Sequence, residues 1–446
     1  MKNNADFSKG KLFPLILRFS IPAAISLLVT AIYNIVDRIF IGNFSGETAL
    51  AALSICFPLS FLMIAFGLMC SAGGSTLFTI FRGRNEMEKA NATFSTAFLC
   101  TAFFEILLTV VLLLFPDMFL KIFGVTDTTY DMAMEYYKIV VMGCLFQGLT
   151  FVCCDFVRVS GKPILGMCVT CIGAVTNIVF DAVFVGVCGW GIQGAAYATV
   201  IGQVMSMLFG AWLLFGGKTL IKIHRKEFRI HFGIAKEILN CGFAFWIAQI
   251  AMGFIALVYN GQLGKYGGDT AISVYAVISS VMTFVIMPAS GISQGIQPLV
   301  GFNYGAGDYD RVKQTFVKAT MLSVGVTAFI WGITELFPVQ IISLFGGGDE
   351  LLALGVPALR MNFVIAPVLG FVMLATTFFQ AIGKPTASSV ITLIRQVAAL
   401  IPFIYILPMF LDTMGIFYAQ PISDLLATVL SLVLIGVSFK GMSKAD

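Results

Sequence analysis

Apolar residues along this chain fall in long uninterrupted blocks, separated by short polar segments rich in Gly, Pro, Lys and Asp. The blocks run approximately over 14–41, 49–81, 92–115, 131–159, 164–187, 192–216, 236–263, 271–301, 315–338, 350–382, 387–411 and 415–439. A helix needs about 20 apolar residues to cross the roughly 30 Å hydrocarbon core of a bilayer. Each block is long enough, so the pattern predicts twelve transmembrane helices, six in each half of the chain.

The halves repeat one another. Gly161-Lys162-Pro163 returns as Gly383-Lys384-Pro385, 222 residues later. The same shift carries Phe115-Pro116 onto Phe337-Pro338, Phe123-Gly124 onto Phe345-Gly346, Gly83 onto Gly305 and Leu17 onto Leu239. The expected architecture is an all-α integral membrane protein of two six-helix bundles. Residues 1–216 form the first lobe, 217–236 a basic cytoplasmic linker and 237–446 the second lobe. An even number of spans per half inserts both halves the same way up, so a pseudo-twofold axis along the membrane normal relates them. Repeats of this kind are typical of transporters, with the working site near the repeat interface.

Composition agrees with lipid as the solvent. The chain is 59% hydrophobic and 11% charged, with 43 Phe and a mean hydropathy of +0.95, which excludes a water-soluble shell. Most of the 27 Lys and Arg fall in loops that share one side if both termini are cytoplasmic. The loops of the other side carry Lys121 and Lys265 among many acids. This is the positive-inside pattern of a multi-pass cell (inner) membrane protein. The net charge of +4 then faces anionic lipid, and no nucleic-acid partner is expected. A monomer is the expected state. His224 and His231, the two histidines, lie in the linker region, away from any buried relay. The ten cysteines sit in apolar runs without accompanying histidines, which argues against a metal centre or disulfides. No Walker-type phosphate loop is present, so no ATP cofactor is expected.

Ionisable groups inside spans cost about 2.5–3.5 kcal/mol at mid-helix on insertion scales, so each demands a reason. Asp155 and Arg158 are spaced for an ion pair on one helix face. Arg395 and Asp424 lie at matching depths on neighbouring helices and predict an interhelical pair. Lys138 repeats as Arg360, which suggests a structural role at helix ends. Glu335 is close enough to the outer surface to be wetted, and Glu105 finds no explanation in sequence.

Asp37 and Asp181 differ from the rest. Their repeat counterparts are Tyr259 and Phe403, so only the first half carries the carboxylates. Asn177 precedes Asp181 by four residues and shares its helix face. By rise per residue, Asp37, Asn177, Asp181 and Thr199 fall at compatible depth in the outer half of the bilayer. Two carboxylates, an amide oxygen and a hydroxyl suit a hard monovalent cation or a shared proton. The alternative is hydrogen bonding between helices, worth about 0.6 kcal/mol per contact in lipid.

The run Tyr33-Asn34-Ile35-Val36-Asp37-Arg38-Ile39-Phe40-Ile41-Gly42, followed by Ala49-Leu50-Ala51-Ala52-Leu53-Ser54, resembles the opening of the multidrug and toxic compound extrusion (MATE) family. Asn177-Ile178-Val179-Phe180-Asp181, Gly191-Ile192-Gln193-Gly194-Ala195-Ala196 and Thr199 resemble that family's helices 5 and 6. The likeness covers essentially the whole chain and is nearest to the prokaryotic branch typified by DinF and the staphylococcal-type exporters. It implies a cation site at Asp37, Asn177, Asp181 and Thr199 in the first lobe. It also implies a secondary antiporter, not an enzyme, that exports organic cations and amphipathic compounds in exchange for Na⁺ or H⁺ by alternating access.

Promiscuous binding favours flexible Met and aromatic walls. Met252, Met282 and Met287 are the candidates in the second half, with Asn34, Phe57 and Phe61 in the first. A lipid or lipid-linked precursor flippase of the same superfamily is the alternative, and it would favour a strongly cationic cavity; only Arg360 and Arg395 are deep arginines here. A channel or a membrane enzyme would want a repeated filter or a paired-acid constellation at an active surface, and neither is visible.

Overall fold

The computed structural model describes residues 7–222, 228–344 and 348–443. His224 and the repeat pair Phe345-Gly346 lie outside them. Helices and their connections account for the described residues, as expected where lipid leaves backbone groups no partner but one another. They are α1 (Leu12–Gly46), α2 (Thr48–Gly83), α3 (Met87–Leu114), the short α4 (Pro116–Ile122), α5 (Tyr130–Val159), α6 (Pro163–Val187) and α7 (Gly191–Phe215). A long helical stretch, Phe232–Gly305, breaks at Gly268 into α8 before the break and α9 (Thr270–Gly305) after it. The remainder are α10 (Tyr309–Leu336), the short α11 (Pro338–Ser343), α12 (Asp349–Phe363), α13 (Ala366–Ala381), α14 (Pro385–Ile406) and α15 (Pro408–Met442).

Eleven of these are long and apolar enough to cross a membrane, or twelve if α12 and α13 count as one span bent by 45°. Sequence reading drew that tenth span as continuous over 350–382. Pro367 lies at the start of α13, where it has no N–H to give the preceding turn, and the ladder breaks at Val364 and Ile365.

The repeat seen in sequence recurs in backbone geometry. Gly46 (φ 82°) and Gly268 (φ 58°) break the first helical stretch of each half at corresponding positions. Gly161 (φ 88°) and Gly383 (φ 71°) take the left-handed conformation that ends one helix, and the prolines two residues on begin the next. That division of labour is why Gly-Lys-Pro occurs twice. Phe115 and Phe337 cap the short helices α4 and α11 with nearly the same dihedrals, −126°, 45° and −125°, 39°.

The chain forms two compact units, 7–9 with 25–249 and 10–24 with 250–443 within the described residues. These boundaries differ from lobes drawn at 216 and 237, because the start of each half's first helix belongs with the other unit. Within unit 1, α8 meets α2 through backbone: a Cβ on Gly242 would lie 1.8 Å from the Met69 carbonyl oxygen, and one on Gly73 2.3 Å from that of Ile238. Within unit 2, Cβ atoms on Gly291 and Gly295 would meet Ala24 and Ser20 at 2.5 and 2.4 Å. Glycine or another small residue at such crossings lets helices pack in lipid by van der Waals contact, where the hydrophobic effect gives no drive. Gly242→Ala must therefore separate α2 from α8. We expect it to lower apparent thermal stability by more than the about 1–3 kcal/mol usual for an overpacked core, while Gly261→Ala, with open space at its Cβ position, leaves it within about 1 kcal/mol. Fluorescence-detected melting of the two variants checks this.

Candidate cation site

In unit 1, Asp37 of α1, Asn177 and Asp181 of α6 and Thr199 of α7 gather within the helix bundle. Asp37 is 7%, Asn177 2% and Asp181 0% exposed, and Thr199 is half-buried. The approach of α6 to α7 is fixed by small residues: a Cβ on Gly202 would lie 2.8 Å from the Gly173 carbonyl oxygen and 3.2 Å from the Asn177 Cβ. One turn along α7 from Gly202, Thr199 is thereby brought against Asn177.

Asn177 links the group. With its amide oxygen turned toward α7, Nδ2 donates to Asp181 Oδ2 at 3.3 Å and the oxygen accepts from the Thr199 backbone N–H at 3.3 Å. In the opposite orientation Nδ2 lies 3.4 Å from Thr199 Oγ1. Asp181 stands where α6 passes into a π-helical last turn, Ala182–Val187, a widening of the helix often found at functional positions. The charges of Asp37 and Asp181 act on one another across α1 and α6. Oδ1 of each is buried without a hydrogen-bond partner among the described residues. Such atoms are costly unless something satisfies them. Two orphan carboxylate oxygens, beside an amide and a hydroxyl, fit a small hard cation or a proton, which would supply what the protein leaves open.

A residue that sequence reasoning missed completes the surroundings. Tyr136 of α5 is buried within electrostatic reach of both Asp37 and Asp181, and of Tyr33 one turn before Asp37. No spacing marks it, because its position depends on α5 packing against helices about 45 to 100 residues away in sequence.

The candidate cavity residues divide between the units. In unit 1, Phe57 is 45% exposed and meets Phe61 edge-on at 5.2 Å, with the Arg38 guanidinium 5.1 Å above its ring. Asn34 is exposed, its Nδ2 donating to the Thr30 carbonyl at 2.8 Å. In unit 2, Met252 is exposed and Met287 half-buried, whereas Met282 packs against the buried core around Tyr259, Val281 and Val285.

Two ion pairs expected from spacing and depth are present. Arg158 Nη1 lies 3.4 Å from Asp155 Oδ1, and Ser71 Oγ donates to the other oxygen at 2.6 Å. Arg395 Nε donates to Asp424 Oδ1 at 2.6 Å, and Gln420 Nε2 to the same oxygen at 3.0 Å. Arg360 Nε also lies 3.6 Å from Glu335 Oε2. All ten cysteines are free thiols. No group of three or more His, Cys, Asp or Glu able to hold a metal exists among the described residues.

Comparison with known proteins gives the same outline. The chain is 23% identical over 431 residues to the multidrug export protein MepA of Staphylococcus aureus (strain MSSA476), covering 96% of this chain and 94% of that protein. It is 24% identical over 430 residues to MepA of Staphylococcus haemolyticus, with the same coverage. Among solved structures, a MATE crystal structure in the bent conformation superposes with a TM-score of 0.92 at 24% identity, over 98% of this chain and 97% of that one. An outward-facing multidrug resistance MATE family transporter matches with a TM-score of 0.92 at 24% identity, over 97% of each chain. The MatE family model matches twice in tandem, over residues 22–183 and 245–406, once in each half of the duplicated sequence. The chain belongs to the MatE family of membrane transporters.

Proposed function

We propose that this protein is a secondary active multidrug antiporter, exporting amphipathic and cationic compounds in exchange for Na⁺ or H⁺. The observation that carries this reading is the pair of buried carboxylates, each with an unpartnered oxygen, in one unit only. Neutralising them by a bound ion removes a repulsion in low dielectric that is larger than the same pair would feel in water. An ion that binds one conformation better than another shifts the equilibrium by its differential affinity, and that difference drives substrate the other way. Asn177 and Thr199 position the pair and supply neutral oxygens. Tyr136, within electrostatic reach of both acids, adds a buried hydroxyl to the surroundings of the site. The relatives' role in multidrug export supports small molecules as the cargo, and the bias of Lys and Arg among the loops supports termini on the cytoplasmic side of a bacterial cell membrane.

Efflux of ethidium, an aromatic cation, from lipid vesicles under an imposed Na⁺ or pH gradient and without ATP tests this reading. At least one of the two gradients should drive uphill movement. Efflux indifferent to both would remove the antiport mechanism.

The second unit supplies a control. Tyr259 is buried and stacked on Tyr275 at 4.6 Å, and its hydroxyl has no partner among the described residues. Tyr259→Phe deletes only that orphan group, and Phe403→Leu keeps an apolar side chain of similar size. Both variants are expected to retain the ion dependence of transport within about twofold, since neither touches the acids. Loss of ion dependence in either, with Asp37→Asn still coupled, would move the site to the second unit.

A further inference from the structure

Glu105 of α3 is the one fully buried carboxylate outside the cation site among the described residues. Cys144 Sγ of α5 donates to its Oε2 at 2.6 Å, while Oε1 has no partner among the described residues. The carboxyl fills a slot that two glycines leave open. A Cβ on Gly148 of α5 would lie 2.6 Å from Oε1, and one on Gly67 of α2 3.0 Å from it. Among the described residues no Lys or Arg charge acts on it. The titratable groups that face it are thiols, Cys144 of α5 and Cys70 of α2, with Cys100 of its own helix beside Cys70.

An ionised carboxylate without counter-charge in such a place costs several kcal/mol. A Na⁺ ion would need a shell of oxygen ligands that thiols and two glycines do not offer. A proton needs no shell and no volume. It turns the carboxylate into a donor and acceptor whose second oxygen already accepts from Cys144.

The seam between α2 and α5 has polar groups on both sides of Glu105. Tyr136, facing the aspartates, lies eight residues before Cys144, about 12 Å along α5. On the other side Ser71 and Asp155 are hydrogen-bonded at 2.6 Å; Ser71 is one turn from Gly67, and Asp155 two turns from Gly148. Glu105 keeps one oxygen unpartnered among the described residues, in a seam that carries Tyr136, within electrostatic reach of both aspartates, toward one end.

We propose that Glu105 is a second proton-binding site of the first unit, which gives up and regains its proton during each transport cycle. The proposal does not depend on the Asp37/Asp181 assignment, though it rests on the reading of the protein as an ion-coupled exporter. When the proton leaves, the O–H bond of Glu105 breaks and the proton passes to water, leaving the carboxylate with Cys144 as donor.

The test is infrared difference spectroscopy on the full-length protein in lipid vesicles, at rest and during ethidium efflux under an imposed gradient. A protonated-carboxyl band should be absent in Glu105→Gln, present in the Asp37→Asn/Asp181→Asn double variant at rest, and displaced in Cys144→Ser. In the wild type its amplitude should fall during efflux, and Glu105→Gln should exchange one proton fewer per ethidium. A band whose amplitude is the same at rest and during efflux, or an unchanged proton count in Glu105→Gln, would overturn the proposal in favour of a permanently protonated structural acid. Should Glu105→Gln fail to fold, Cys144→Ser keeps the carboxyl, and a band it does not displace, or one unaltered by efflux, counts against the proposal equally.

Discussion

Asp181→Asn is expected to reduce gradient-driven efflux to background, a loss of at least about a hundredfold, while leaving the fold intact. The amide keeps the size of the carboxyl and can still bond to Asn177, so packing around the fully buried position is preserved. What it lacks is the charge that distinguishes the ion-loaded from the empty state. A ligand with equal affinity for two states shifts nothing, and a site that no longer binds the ion has no differential affinity to offer. A coupling of about 3 kcal/mol corresponds to a factor of about 150. Wild-type thermal stability together with background efflux in vesicles is the expected pair of readings; uphill transport at the wild-type rate would show that Asp181 is a structural acid.

The second large effect is on stability. Arg395 and Asp424 form a hydrogen-bonded ion pair with the Asp424 side chain 7% exposed. Arg395→Met removes the partner and leaves Gln420 as a side-chain donor to that carboxylate. Breaking a buried pair from one side costs about 3–5 kcal/mol, because the remaining charge is uncompensated. Replacing both members avoids that penalty, so Arg395→Met/Asp424→Asn is expected to recover most of the loss. Membrane proteins of this size commonly unfold irreversibly, so the comparison is made on inactivation rates at one temperature. A double variant no more stable than Arg395→Met would mean that the residues act independently.

Some of this was readable from sequence because it rests on local spacing. Spans follow from apolar length, and Asp155 with Arg158 from a three-residue interval. Arg395 and Asp424 could be matched by counting rise from opposite helix ends. Asn177 and Asp181 share a face by their four-residue interval, and the absence of acids at Tyr259 and Phe403 marked the first half. Other features depend on where backbones cross. The exchange of first turns between units turns on Gly242 against Met69 and on Gly295 against Ser20, contacts between residues more than 170 positions apart. Tyr136 and the Cys144 partner of Glu105 are set by how α5 packs on its neighbours, which no periodicity of α5 alone encodes. The kink between α12 and α13 was masked because hydropathy does not change across it; Pro367 was its only visible cause.

Ion binding at Asp37 and Asp181 is proposed to drive export. Its most direct test is simultaneous measurement of ion and substrate flux in vesicles holding the wild type or the Asp37→Asn/Asp181→Asn double variant, with Na⁺ and pH gradients imposed separately. In the wild type, ions should enter in fixed proportion to the ethidium leaving. The double variant should show neither coupled ion flux nor uphill efflux while still binding ethidium. Uphill efflux by the double variant, at the wild-type ratio of ions to ethidium, would contradict it.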